Sequence, residues 1–281
     1  MMKKFLFLCI AFFFKQVMPI HSQLVYPIVG QYNKKSAQGM AIYKDLAYLF
    51  SDGGMCRVYN LEKKKVERRF VLSTRASNHV NSACFGIELG SYNQIPFLYT
   101  TECKNKFRCY VEEILPDTTK LVQTITKTNK GKEERVLIWV VDRERGLIYS
   151  ITRYYEPLHS KGYALHTIKE YSLPQISKGK TVVLTEKDVK NHFQVKFPNV
   201  LQGAVIKDDV LYIVTGFQQS VASRIDAQRA IQVIDLKKKA LLKTIDLTYL
   251  TTNEPEDMDF YKGKALLYCG QEGGIYEVNL K

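Results

Sequence analysis

Short apolar runs recur along the whole chain between polar turns, and no stretch holds a convincing 3.6-residue period. The most regular mark is a pair of apolar residues followed by tyrosine. It occurs as Leu46-Ala47-Tyr48, Phe97-Leu98-Tyr99, Leu147-Ile148-Tyr149, Val210-Leu211-Tyr212 and Leu266-Leu267-Tyr268. The tyrosines lie 51, 50, 63 and 56 residues apart. Around the first copy, an apolar run at 40–43 meets the turn Lys44-Asp45 and a second run at 46–51. The turn Asp52-Gly53-Gly54, an alternating run at 55–61, a polar turn at 62–65 and a last run at 66–72 follow. Four short antiparallel strands of this kind make one propeller blade.

The unit returns. In the fourth copy the strands fall at 203–207, 210–215, 229–236 and 241–247, with Lys237-Lys238-Lys239 matching the earlier turn at 62–65. The second copy spans about 82–127. The third, about 136–185, is longer and less regular, with extra residues at 156–164. The fifth has three strands, at 258–261, 264–269 and 275–280, while a spare strand at 24–29 precedes the first copy. The expected fold is therefore all-β: a five-bladed β-propeller in which the N-terminal strand completes the last blade. Closure removes exposed sheet edges, and a repeat near fifty residues is the mark of such arrays.

The spacing also locates one end of the central channel. Counting back ten residues from the marker tyrosines gives Gln38, Trp139 and Gln202, and eleven gives Asp257, next to Glu256. An insertion at 89–95 breaks the count in the second copy, where His79 and Asn81 lead into the inner strand and Glu102 ends the next one. The candidate ligand-binding set is Gln38, His79, Asn81, Glu102, Trp139, Gln202, Glu256 and Asp257. Amides and carboxylates around one aromatic face suit a sugar ring or a peptide end.

Charge and cysteines adjust this picture. Lys3 and Lys4 precede a ten-residue apolar run at 5–14, too short to span a bilayer. Residues 1–22 are expected to be a signal peptide and residues 23–281 a single domain, exported to the periplasm, cell surface or medium. The chain carries a net charge of +13, and loss of Lys3, Lys4 and Lys15 leaves it basic. For an exported chain an acidic polymer at the lysine-rich turns fits better than nucleic acid. Cys56, Cys84, Cys103, Cys109 and Cys269 remain, an odd number without CxxC spacing; Cys103 and Cys109 flank a short hairpin. No nucleophile elbow, zinc-protease or P-loop motif is present, and no cofactor is expected. The run 253–257 offers oxygens for a hard cation, and Glu256, Asp257 or His79 would serve an acid–base enzyme.

From Gln38-Gly39-Met40 through Tyr48 and Asp52-Gly53-Gly54 to Phe85-Gly86, the order of features resembles the secreted glutaminyl cyclotransferases of plant and bacterial type. The resemblance implies a five-bladed secreted propeller with a ligand in its channel, and it puts Gln38 at the family's channel glutamine. The family's catalytic glutamate follows Phe-Gly directly, whereas here the order is Phe85-Gly86-Ile87-Glu88, and that slip turns the side chain to the other face of a strand. Three functions follow: a binding module for a glycan or peptide end, a cyclotransferase-like or hydrolytic enzyme, and a scaffold using the third blade.

Overall fold

In a computed structural model of the chain, the described residues are 23–27, 37–74, 79–104, 106–153, 163–198, 200–217, 228–248, 250, 253–270 and 274–281. The expected signal peptide and the extra residues 156–162 lie outside them. β1 (Gln23–Pro27) precedes the first sheet, formed in order by β2 (Ala37–Tyr43), β3 (Leu46–Ser51), β4 (Met55–Asn60) and β5 (Lys65–Val71). The second sheet contains β6 (Val80–Leu89), β7 (Pro96–Glu102), β8 (Cys109–Ile114) and β9 (Thr119–Asn129), with β10 (Lys132–Glu133) at its edge. The third contains β11 (Ile138–Asp142), β12 (Leu147–Arg153) and β13 (Tyr163–Ser172). After β14 (Thr181–Leu184), β15 (Asn191–Pro198) completes it. β16 (Leu201–Lys207), β17 (Val210–Thr215), β18 (Ala230–Asp235) and β19 (Ala240–Asp246) make the fourth. β20 (Pro255–Tyr261), β21 (Lys264–Cys269) and β22 (Gly274–Val278) make the fifth, and β1 pairs antiparallel with β22 as its outer strand. The five-bladed propeller and its closure by the N-terminal strand are both present.

Five apolar clusters fill the five seams between neighbouring blades, and each contains one marker tyrosine. Tyr48 sits between blades one and two, Tyr99 between two and three, and Tyr149 between three and four. Tyr212 and Tyr268 occupy the last two seams. The rings meet aromatic residues of the next blade: Tyr48 meets Phe85 edge-on at 5.1 Å, and Tyr212 meets Phe260 at 5.3 Å. Such pairs add to area burial. The recurring spacing is thus the repeat of one packing position.

The matching polar turns have a shared cause. Asn60 Oδ1 accepts from the Glu62 and Lys63 amides, and Asp235 Oδ1 accepts from the Lys237 and Lys238 amides. A short acceptor side chain that bonds its own backbone two residues on sets this kind of turn. Lys64 and Lys239 then take positive φ angles of 52° and 56°.

The third copy differs from its sequence reading. Residues 181–184 do not close that blade; β14 runs parallel to β9 and extends the second blade, from Thr181 opposite Thr124 to Leu184 opposite Lys127. β15 closes the third blade instead, pairing with β13 from Tyr163 opposite Pro198 to Glu170 opposite Asn191. The excursion is tied down by buried Gln123, whose Nε2 donates to the carbonyls of Gln175 and Gly179. The Ile176 amide donates to Glu88 Oε1 at 2.9 Å. Glu88→Ala should loosen this segment by about 1 kcal/mol, visible as faster amide exchange at Ile176 with little change in global unfolding.

The five described cysteines are free thiols. Cys109 is packed in the seam between blades two and three, so Cys103 and Cys109 form no bridge.

Candidate functional site

Four of the five inner strands break register toward the same end of the axis. The shifts fall between Ala37 and Met40, Val80 and Ser82, Leu201 and Ala204, and Pro255 and Asp257. The residues inside these bulges are Gln38-Gly39, Asn81, Gln202-Gly203 and Glu256. A bulge bends its strand and re-aims a side chain. Here it brings polar residues from blades one, two, four and five to one end of the axis. Gln38, Asn81, Gln202 and Glu256 are all buried there.

The groups are joined across the axis. Asn81 Nδ2 donates to the Gln202 carbonyl, and the Ala204 amide donates to Ser82 Oγ at 3.2 Å. Gln202 Nε2 donates to the Gly216 carbonyl at 2.8 Å and to Glu254 Oε1 at 2.6 Å. Asp257 is fully buried. Its Oδ2 accepts from the Met40 amide at 2.9 Å and the Ala83 amide at 3.0 Å, and its Oδ1 accepts from the Met258 amide at 2.9 Å. Blade four closes the fourth side through Gly203, where a Cβ would fall 1.9 Å from Asp257 Oδ1. Asp257 therefore fastens the inner strands together, its oxygens spent on backbone amides below the mouth. Burial pushes its carboxyl well above the usual range, against the pull of those amides.

Glu256, one residue earlier, faces differently. It is 1% exposed, and its Oε1 has no hydrogen-bond partner among the described residues. Burial, then the neighbouring Glu254 and Asp257, hold its pKa well above that of a free carboxyl. Glu254 is also raised, by burial, with the Gln202 bond opposing. The Cys269 and Cys103 thiols, both pushed up first by burial, also feel the Glu256 charge. The sequence set omitted Glu254, whose only signal was its place in the acidic run 253–257. No group of three or more His, Cys, Asp or Glu side chains able to hold a metal is gathered among the described residues.

The remaining sequence candidates are placed around this mouth or away from it. His79 Nδ1 lies 2.8 Å from Asp52 Oδ1 at the rim between blades one and two, and the two residues form a single bridge. Glu102 is fully buried, and its carboxylate accepts from the amides of Lys104, Lys106 and Phe107, so it shapes the loop between β7 and β8. Trp139 does not reach the mouth. It is 1% exposed within the seam between blades two and three, 6.5 Å from Tyr171. β11 carries no bulge and a longer turn to β12, so Ile138, opposite Ile151, takes the level that Gln38 and Gln202 hold elsewhere. A slip of one residue moved the indole to the other face.

At the opposite end, the inner strands open into a cavity of about 470 Å³ lined by all five blades. Asp259 stands at its edge and accepts from the Ile42 and Phe260 amides at 2.6 and 2.7 Å. Burial raises its carboxyl from 3.8 to about 6, with Arg143 and Lys207 opposing. A carboxyl held above its unfolded value binds its proton more tightly in the native state. Its contribution is thus full at low pH and is lost as pH rises from about 4 through 6. Urea midpoints measured across that window should fall with pH in the native protein, and Asp259→Asn should flatten the slope.

No protein-family model matches the sequence, and neither does any curated protein. Among solved structures, the crystal structure of Myxococcus xanthus glutaminyl cyclase aligns with 92% of this chain and 95% of its own, at a TM-score of 0.53 and 13% identity. That likeness is one of fold. Phe85 and Gly86 lie in the middle of β6, and Glu88 is bonded to the Ile176 amide, away from the mouth. The residue of β6 that shares the bulge level of Gln38 is Asn81.

Proposed function

We propose that this propeller is an exported binding module that holds a ligand end at the mouth formed by Gln38, Asn81, Gln202, Glu254 and Glu256. Of the two ligand classes that the sequence favours, glycan and peptide end, the surplus of acceptors supports the amino end of a peptide. The observation that carries this reading is Glu256: a buried carboxyl with one oxygen unpartnered among the described residues, beside a second raised carboxyl. An ammonium placed there would satisfy the free oxygen and relieve the repulsion between the two acids. Gln38 and Asn81 would serve the first peptide groups behind it.

The structural neighbour keeps a second reading open on the same mouth. In a cyclotransferase, the amino nitrogen of an N-terminal glutamine attacks its own side-chain amide carbon and ammonia leaves. Glu256, with its raised pKa, would accept the amine proton and pass it to the leaving nitrogen. Equilibrium dialysis of the protein against a random tripeptide library, read by mass, separates the two. Retained peptides of unchanged mass are expected. Loss of ammonia from the glutamine-initiated members would favour the enzyme, and retention of no peptide would count against both.

A further inference from the structure

The lysine-rich turns between β4 and β5 and between β18 and β19 are paired locally: Lys63 with Glu67 at 3.2 Å, Lys237 with Asp209, and Lys238 with Asp235 at 3.7 Å. A second basic surface is concave. It is a cleft of about 500 Å³ between blades two and three, built from the end of β9, the segment leading into β11, the end of β12 and the middle of β13. Lys127, Arg135, Arg153 and Lys169 all line it.

Among the described residues, two carboxylates pair with the lysines of this cleft. Lys127 pairs with Glu134 although it is 1% exposed, and Lys169 pairs with Glu186 at 2.5 Å. Arg135 lies over the Phe107 ring at 5.0 Å, with no carboxylate partner among the described residues. Burial lowers the Lys127 pKa, and the Lys169 charge lowers it further, while Glu134 opposes. An added anion would ease that crowding. A cleft of this size falls within the range of small-ligand sites.

The walls also say what kind of anion fits. Peptides commonly bind by adding a strand to a free sheet edge. Here the outer edge of β9 is already paired, by β14 along Thr124–Lys127 and by β10 at Thr128 and Asn129. Recognition is left to side chains: Thr152 and Thr167 line the cleft among the cations, and although Thr152 Oγ1 donates to the Thr167 carbonyl at 3.5 Å and Thr167 Oγ1 accepts from Gln194 Nε2 at 3.2 Å, each hydroxyl keeps further hydrogen-bonding capacity. That combination matches a molecule with charged groups spread over a hydroxyl-rich frame.

We propose that this cleft binds an anionic saccharide of two or three units, its sulfate or carboxylate groups held by Arg135, Arg153 and Lys169 and its hydroxyls by Thr152 and Thr167. The site is separate from the mouth and does not depend on its ligand.

The test is calorimetric titration with a heparin disaccharide and with trigalacturonate, which separate sulfate from carboxylate recognition. Neutral maltotriose and a hexa-aspartate peptide serve as controls. At least one anionic saccharide should bind, more weakly at higher salt, and Arg135→Glu should weaken it by about tenfold or more. Arg135 is exposed, so an unchanged melting temperature will show that this variant folds. The Lys237→Ala/Lys238→Ala double variant should bind as the native protein does. The proposal is overturned if neither anionic saccharide binds, if hexa-aspartate or maltotriose binds as tightly, or if only the lysine-turn variant loses binding.

Discussion

Asp257→Ala is expected to destabilise the propeller by about 3–5 kcal/mol, the cost typical of stripping one partner from a buried charged network. The substitution leaves three amides without an acceptor: Met40 in blade one, Ala83 in blade two and Met258 in its own strand. Water cannot readily replace the oxygen, because the site is fully buried and the inner strands touch across it. Some of the loss is returned, since burial already disfavours the ionised carboxyl. Three orphaned donors outweigh that return. Gly203→Ala probes the same fastening from the other side. Its Cβ would meet the Asp257 backbone at 2.7 Å as well as the carboxylate, so relief needs a shift of two inner strands, at about 3 kcal/mol. Chemical denaturation of both variants reads these values. Two midpoints close to that of the native protein would show that the axis is not held at Asp257.

Glu256→Gln should act in the opposite way, weakening binding while sparing the fold. The native carboxyl is buried with a raised pKa, so its ionisation costs stability as pH rises above the unfolded value. Glutamine removes that cost, and the variant should be as stable as the native protein or more so at neutral pH. Its affinity for a free amino end should fall by about 100-fold, as when one member of a buried charge pair is lost. The same linkage gives the native protein a pH profile. Affinity should rise as Glu256 and Glu254 ionise, and fall again above about pH 8, where an α-amino group loses its proton. Titrations across pH, with denaturation run in parallel, separate the two effects.

How much of this was legible in the chain depends on the distance over which each feature is determined. The tyrosine positions follow from alternation within single strands, and the turns at Asn60 and Asp235 from bonds to residues two and three places on. Both can be read locally. Counting ten residues back found Gln38 and Gln202 because their blades share a two-residue turn and the same bulge. The count failed at Trp139, where the turn is longer and the bulge is missing. β14 reads as an outer strand by composition, yet its partner belongs to another blade. Asp257 was legible as polar and near the axis. Its fastening role was not, because two of its three donors lie 217 and 174 positions away in sequence. Glu254 was hidden by Pro255 between it and the strand, and only its bond to Gln202 shows that it belongs to the mouth.

In the proposed function, the bulged inner strands build an acceptor-rich mouth for an amino end. The most direct measurement compares one tripeptide library with free amino ends and the same library acetylated at those ends, dialysed against the native protein at neutral pH. Free peptides should be retained and acetylated ones not, since acetylation removes the charge and two of the donors that Glu256 and Glu254 would take. Equal retention of both libraries, or preference for the acetylated one, would contradict it.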